Sequence, residues 1–270
     1  MKKLLLILAL ILLPQFAYAD ITTGLVGWWK FDEGSGTNAA DSGSGGNAGT
    51  LTNGPTWVSG KIGNSAISFD GVNDYVDIGN PSALQIIGQI SLSAWVNVDV
   101  FGDGSNGCAG FCSAIIEKGF SAGKEAYVLR IQYPTARLTH ELAVLSYDGT
   151  DNGTYWAKTG WNTGVWHHVV GVYNGTNWIL YFDGENVAQT SDGTGAISSG
   201  VAVTIGAAII NGSPVRYFDG SIDDVRIYNR ALSSTDVAEL YAYPTVTTSI
   251  PRMIINFGRW IINQGRLLIN

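Results

Sequence analysis

Strand-length apolar or alternating runs recur along the chain, bounded by clusters of Gly, Asn, Asp and Ser: 24–31, 66–69, 75–78, 90–98, 113–117, 126–132, 141–147, 155–159, 166–173, 178–182, 201–205 and 221–228. Such runs, with turn chemistry between them, predict a β-sandwich or barrel. Asn-Gly or Asp-Gly pairs begin at Asn53, Asp70, Asp148, Asn152, Asn174, Asp183, Asn211 and Asp219. Both residue types tolerate positive φ, so each pair predicts a tight turn. The sharpest prediction is a hairpin over 166–182 turning at Asn174-Gly175, with a second turn at Asp183-Gly184. Only 233–241 reads as helix, with Ser233 as cap and Asp236 three residues on.

Composition sets limits on function. Thirty aromatic residues are enough to core one all-β domain, while 14% charged residues is too few for a coiled coil or a disordered acidic tail. The 15 basic and 22 acidic residues give −7, and no basic run extends beyond Lys2-Lys3, which argues against nucleic acid as partner. Residues 1–19 read as an export signal: Lys2 and Lys3, an apolar stretch from Leu4 to Leu13, and Ala17-Tyr18-Ala19 before Asp20. That stretch is shorter than the roughly 20 residues a bilayer span needs. The expectation is a secreted, periplasmic or cell-surface protein with no transmembrane span after cleavage. In such a compartment Cys108 and Cys112 pair most simply as one disulfide pinning a loop tip, a metal site being the alternative reading.

Beyond Pro244 the pattern changes. Arg252-Met-Ile-Ile-Asn-Phe-Gly, Arg259-Trp-Ile-Ile-Asn-Gln-Gly and Arg266-Leu-Leu-Ile-Asn form a seven-residue repeat. Its regular glycines oppose a helix, and its aliphatic pairs bounded by Asn-x-Gly predict three short strands. A strip of this size cannot bury an apolar face alone. It packs on the sandwich, pairs with another copy, or serves as an anchoring or sorting tail. The division is therefore 1–19 signal, 20–243 domain and 244–270 repeat tail.

The segments Leu25-Val-Gly-Trp-Trp-Lys-Phe-Asp-Glu-Gly-Ser-Gly, Ala66-Ile-Ser-Phe-Asp-Gly-Val-Asn-Asp-Tyr-Val, Ile90-Ser-Leu-Ser-Ala-Trp-Val, Trp166-His-His and Phe218-Asp-Gly-Ser-Ile-Asp-Asp-Val-Arg-Ile-Tyr-Asn-Arg-Ala-Leu-Ser occur in order. Together they resemble a laminin-G-like domain of the concanavalin A-like lectin/glucanase superfamily, over residues 24 to 243. The resemblance implies an all-β jelly roll of two antiparallel sheets with adjacent first and last strands, carrying one short C-terminal helix here. It also implies glycan or glycoconjugate partners and structural Ca2+.

If the first and last strands pair, Asp32, Glu33 and Asp41 are expected to meet Asp223 or Asp224 as calcium ligands, since calcium takes six to eight oxygens. The plain alternative is that these carboxylates make turn hydrogen bonds; Asp70 and Asp74 form a secondary cluster. For a sugar platform the expected residues are Tyr155, Trp156 and Trp161, in a polar, turn-rich segment. Core filling is the competing role for each. Trp29, Trp95 and Trp166 are assigned to the core. The glutamates, among them Glu117, Glu125, Glu141, Glu185 and Glu239, are isolated in sequence, without the closely spaced carboxylates of a glycanase. His167 and His168 read as strand residues held by hydrogen bonds, and His140 beside Glu141 and near Tyr133 is the one lyase-like arrangement.

The functional expectation is an exported, non-catalytic carbohydrate-binding or adhesion module. A surface or virion assembly protein that oligomerises through the tail ranks second, and a glycan hydrolase or lyase third.

Overall fold

The computed structural model describes residues 20–101, 110–134 and 140–243, and the backbone of three short strands between 256 and 269. The expected signal 1–19 and Cys108, hence the Cys108–Cys112 pairing, lie outside the described residues. In chain order the strands are β1 (Leu25–Trp29), β2 (Asn38–Ala39), β3 (Gly49–Thr52), β4 (Thr56–Ser59), β5 (Ser65–Asp70), β6 (Tyr75–Gly79), β7 (Ile90–Val98), β8 (Gly110–Ser121) and β9 (Lys124–Pro134). They continue as β10 (Glu141–Tyr147), β11 (Asp151–Ala157), β12 (Trp166–Tyr173), β13 (Asn177–Phe182), β14 (Glu185–Ser191), β15 (Val203–Ile205), β16 (Ala208–Ile210), β17 (Ser213–Val215) and β18 (Asp219–Tyr228), followed by helix α1 (Ser234–Ala242).

Two sheets face one another as a jelly-roll sandwich. The eight-stranded sheet runs β14-β13-β12-β7-β18-β5-β4, with β1 also on β18. The ten-stranded sheet runs β11-β10-β9-β8-β15-β6-β3-β2, with the β16–β17 hairpin beside β8. All pairings within the two sheets are antiparallel except a single β16–β8 contact at Ile210 and Phe120. As expected, the first strand lies on the last, with Leu25 opposite Tyr228 and Trp29 opposite Val225.

Period-two alternation sends Leu92, Ala94, Val96, Val169, Val225 and Ile227 inward from one sheet, against Leu129, Ile131, Leu142, Val144 and Ile205 from the other. The sheets approach most closely where β12 carries glycine: a Cβ on Gly171 would sit 2.3 Å from Val144 Cγ2. A second apolar cluster lies on the outer face of the eight-stranded sheet. There Val170, Val172, Ile179 and Tyr228 are covered by Leu232, Val237 and Leu240 of the helical segment. The predicted capping box closes α1: Ser233 Oγ accepts from the Asp236 amide, and the Asp236 carboxylate accepts from the Ser233 amide.

The predicted hairpin is β12–β13, with Tyr173 opposite Trp178. Asn53-Gly54, Asp183-Gly184 and Asn211-Gly212 have positive φ at both residues, as their turns require. Two expected turns are strand instead. Gly153 lies within β11 opposite Leu145, and Gly220 lies within β18 opposite Phe69 and Val98. In both, the glycine serves close backbone approach: a Cβ at Gly220 would meet the Asn97 carbonyl at 2.2 Å. Trp29 is fully buried in the inter-sheet core. Trp95 corrects its assignment: it is buried, but on the outer face of β7, stacked by Tyr241 at 5.6 Å with Lys61 Nζ 4.7 Å from its ring centre. Trp166 is half-buried.

The repeat tail forms β19 (Asn256–Phe257), β20 (Trp260–Asn263) and β21 (Arg266–Ile269), a three-stranded antiparallel sheet as its spacing predicted.

Candidate glycan-binding face

The five carboxylates expected to hold calcium are each engaged by other groups. Asp41 Oδ1 accepts from the amides of Trp28 (2.8 Å) and Gly43 (2.7 Å), and its Oδ2 from that of Asn47 (2.7 Å). Asp223 Oδ2 accepts from the Lys61 and Ile62 amides, both at 2.8 Å, and its Oδ1 from the Asp224 amide at 2.7 Å. Asp224 receives the Trp28 indole N–H at 2.6 Å and pairs with Arg226. Asp32 accepts from the Asn64 amide and Glu33 from the Ala40 amide. Among the described residues no group of three or more His, Cys, Asp or Glu is placed to hold a metal. As arranged, Asp32, Glu33, Asp41, Asp223 and Asp224 do not fit a calcium ion, whose oxygen shell has to be drawn from converging ligands. They pin loops to the β1–β18 seam instead. Burial pushes the Asp223 carboxyl up to about 7 against the opposing effect of its amide partners.

The outer face of the ten-stranded sheet carries a different set of charges. Parity puts Glu117 of β8, Arg130 and Gln132 of β9, and Glu141 of β10 on this face, because Val128, Ala143 and Leu145 alternate with the inward Leu129, Ile131, Leu142 and Val144. Arg216, just beyond β17 and in a left-handed conformation (φ 58°), reaches over β8. Its Nη1 donates to Glu117 Oε1 at 3.1 Å and to Glu125 Oε1 at 2.6 Å. Arg130 Nη1 donates to Glu125 Oε2 at 3.4 Å, and its Nε to Gln132 Oε1 at 3.1 Å; Gln132 Nε2 reaches Glu141 Oε2 at 3.3 Å. The glutamates that stand isolated in sequence thus form one ladder across three strands.

Burial, and then the charge of Glu125, push the Glu117 carboxyl up to about 8. Burial would raise Glu125 too, but Arg130 and Arg216 outweigh it and hold that carboxyl below the usual range. The two shifts are opposed, so the carboxyls of the pair release their protons in separate steps. Ion pairs this deeply buried contribute little to stability after desolvation, since a well-packed apolar face does as well.

The inward parity of β9–β11, opposite to the ladder, carries an aromatic edge. Phe101 and His140 stack at 3.9 Å, and Tyr133 lies 4.9 Å from His140. Trp156 packs at 5.0 Å from Phe182, and Lys158 Nζ hangs over both rings at 5.2 and 4.8 Å. The expected platform residues separate here. Trp156 is half-buried at this edge. Tyr155 projects onto the outer face against Val128, Ala143 and Leu145, its phenol pushed up by burial and then by Asp151. Trp161 is not exposed: it retains 7% accessibility and plugs the space between the sheets, 5.2 Å from Phe182 and 5.8 Å from Phe101. His167 and His168 are held as expected, the first by Asp183 (2.8 Å) and the second by Ser93 (2.9 Å).

Two facing antiparallel sheets with the first strand on the last define a jelly-roll domain of the concanavalin A-like type of fold. The chain belongs to the laminin-G-like family described as the Concanavalin A-like lectin/glucanases superfamily, whose profile matches residues 70–238. No curated protein sequence matches it. Among solved structures it is similar to domain 4 of AbnA, an extracellular arabinanase of Geobacillus stearothermophilus in complex with arabinotriose (19% identity, TM-score 0.60, covering 80% of this chain and 98% of that one). It is also similar to the binding domain of Paraclostridial Mosquitocidal Protein 1 (14% identity, TM-score 0.62, 82% and 52%) and to a Trypanosoma rangeli sialidase (18%, TM-score 0.57, 82% and 33%). It spans about half of the second and a third of the third, and at these identities the likeness is one of fold. No helix among the described residues is long and apolar enough to cross a membrane.

Proposed function

We propose that this protein is an exported, non-catalytic carbohydrate-binding module whose ligand lies on the outer face of the ten-stranded sheet, against the half-buried rings of Tyr147 and Tyr155. The observation that carries this reading is the ladder Arg130–Gln132–Glu141 on the same outer face as Tyr155, whose neighbours there are Val128, Ala143 and Leu145. Sugars are bound by stacking on aromatic faces combined with planar polar groups that fix their hydroxyls. The similarity to an arabinanase domain crystallised with arabinotriose makes arabino-oligosaccharides the first ligands to try, and the sialidase makes sialylated ones the second.

The test is titration of the chain with both classes, alongside a polysaccharide panel, in calcium and in chelator. Tyr155→Ala and Gln132→Ala are expected to weaken binding at least tenfold while leaving the chain folded, and chelator is expected to have no effect. No binding to any glycan, or binding indifferent to both substitutions, overturns the proposal. A glycan-cleaving reading draws on one observation, the unequal Glu117–Glu125 pair. However, a retaining glycosidase separates its carboxyls by about 5 Å with the bond between them, whereas here both grip one nitrogen of Arg216. Release of reducing ends that is lost in Glu125→Gln would favour that reading.

A further inference from the structure

Five Asn-Gly pairs occur in the sequence, at 53, 106, 152, 174 and 211, and all but Asn106-Gly107 lie among the described residues. Such a pair carries latent chemistry, because glycine has no side chain to shield its amide nitrogen from the neighbouring carboxamide. Three of the four described carboxamides are tied down. Asn53 Nδ2 donates to the Asn73 carbonyl at 2.9 Å. Asn152 is 8% exposed, and its Nδ2 donates to Asp148 Oδ1 (2.9 Å) and the Thr150 carbonyl (3.2 Å), while Gly153 is held in β11 opposite Leu145. Asn174 Oδ1 accepts from the amides of Thr176 (3.0 Å) and Asn177 (2.8 Å).

Asn211 is held by none of these means. It lies with Gly212 and Ser213 at the exposed tip of the β16–β17 hairpin, and no described residue hydrogen-bonds its side chain. Nothing lies within 4 Å of where a Cβ on Gly212 would stand. Asn211 and Gly212 are both left-handed (φ 50° and 84°), and this turn has to relax before the carboxamide carbon can meet the Gly212 nitrogen. A loop tip with no packing on it opens at little cost.

We propose that Asn211 is a self-modification site: its carboxamide is lost to attack by the Gly212 backbone nitrogen, and the isoaspartate that results releases the hairpin carrying Arg216. Hydroxide takes the Gly212 amide proton, the nitrogen bonds to Asn211 Cγ, and ammonia leaves with a proton from water. Water then opens the cyclic imide. Opening at Cγ gives aspartate on an unchanged backbone, whereas opening at the backbone carbonyl gives isoaspartate, in which the chain runs through Cβ and Cγ. Water is the one co-reactant, and no electrons are exchanged. The extra main-chain carbon spoils a two-residue turn fitted to the pairing of Ile210 with Ser213. Arg216 follows this hairpin directly. Its carbonyl accepts from the Ala114 amide at 2.9 Å and its guanidinium grips Glu117 and Glu125, so loosening the hairpin loosens the clamp on both carboxyls.

The test is incubation of the full chain at pH 8.5 and 37 °C, followed by peptide mapping that separates asparagine, aspartate and isoaspartate at each pair. Product at 211 is expected to accumulate at least tenfold faster than at 53, 152 or 174, and more slowly at pH 6, since hydroxide drives the first step. Amide hydrogen exchange over 208–216 is expected to be at least tenfold faster in the isoaspartate-bearing fraction of the aged parent than in aged Asn211→Gln, whose longer carboxamide does not close the ring readily. Absence of product at 211, product at 53, 152 or 174 at a comparable rate, or equal hairpin exchange in the two aged chains would each overturn the proposal. None of these measurements depends on whether the domain binds glycan.

Discussion

At the scale of single residues, the neighbouring pair Glu117 and Lys118 sets opposing pH dependences. Glu117 is held protonated, at about 8 in the folded chain against an ordinary 4.5. Its contribution to stability is therefore complete below pH 4.5 and is lost as pH rises to about 8, at up to about 1.4 kcal/mol per pH unit. Lys118 is fully buried, donating to Asn80 Oδ1 and the Val201 carbonyl, and burial lowers its amine to about 8 from 10.5. Its contribution has the opposite sign: stability is gained between about pH 8 and 10.5 as the unfolded chain loses a proton that the folded one has already released. Glu117→Gln keeps an acceptor for Arg216 and removes the titration. Urea unfolding from pH 5 to 8 is expected to show a flatter profile for Glu117→Gln than for the parent. Parallel profiles would mean that Glu117 is ionised in the folded protein.

At the scale of elements, Gly171 on β12 shows how tightly the two sheets are keyed. A methyl group there would overlap both Val144 Cγ2 and Cβ, at 2.3 and 2.7 Å. Gly171→Ala is therefore expected to cost about 1–3 kcal/mol by overpacking, and Val144→Ala in the same chain to recover part of it, as read by the urea midpoint. Failure of the second change to compensate would mean that the strain resides in β12 itself. Local chemistry made several elements legible: the β12–β13 hairpin from Asn174-Gly175, α1 from Ser233 and Asp236, and the tail strands from their repeat. Gly153 and Gly220 misled because the same dipeptides also occur where a strand needs a bare Cα against a neighbour's backbone, which only the pairing partner reveals. The polar ladder was illegible for a related reason. Glu117 and Glu125 are not cross-strand partners, Glu117 lying opposite Val128 and Glu125 opposite Phe120, and Arg216 arrives from 99 and 91 residues away. Trp161 misled through its polar neighbours, although its own ring fills the space between Phe101 and Phe182.

At the scale of the whole molecule, the sandwich is closed by a seam joining residues about 200 apart, β1 on β18, and the acidic groups along that seam serve closure. Asp41 bridges back to the Trp28 amide within β1 while holding Gly43 and Asn47, and the Asn47 side chain and carbonyl in turn engage the Val26 carbonyl and the Trp29 indole. Asp41→Ala would leave three backbone donors without their acceptor and loosen β1, the strand that brings the start of the described domain onto β18. The expected loss is about 2–4 kcal/mol, allowing for water reaching some of the freed amides. Because those amides, and not a cation, use the carboxylate, the loss is expected to be equal in millimolar calcium and in chelator. Measuring the unfolding free energy of parent and Asp41→Ala in both conditions separates the two roles the sequence left open. A deficit present only in calcium would make Asp41 a ligand after all, and would mean that the seam rearranges around the ion.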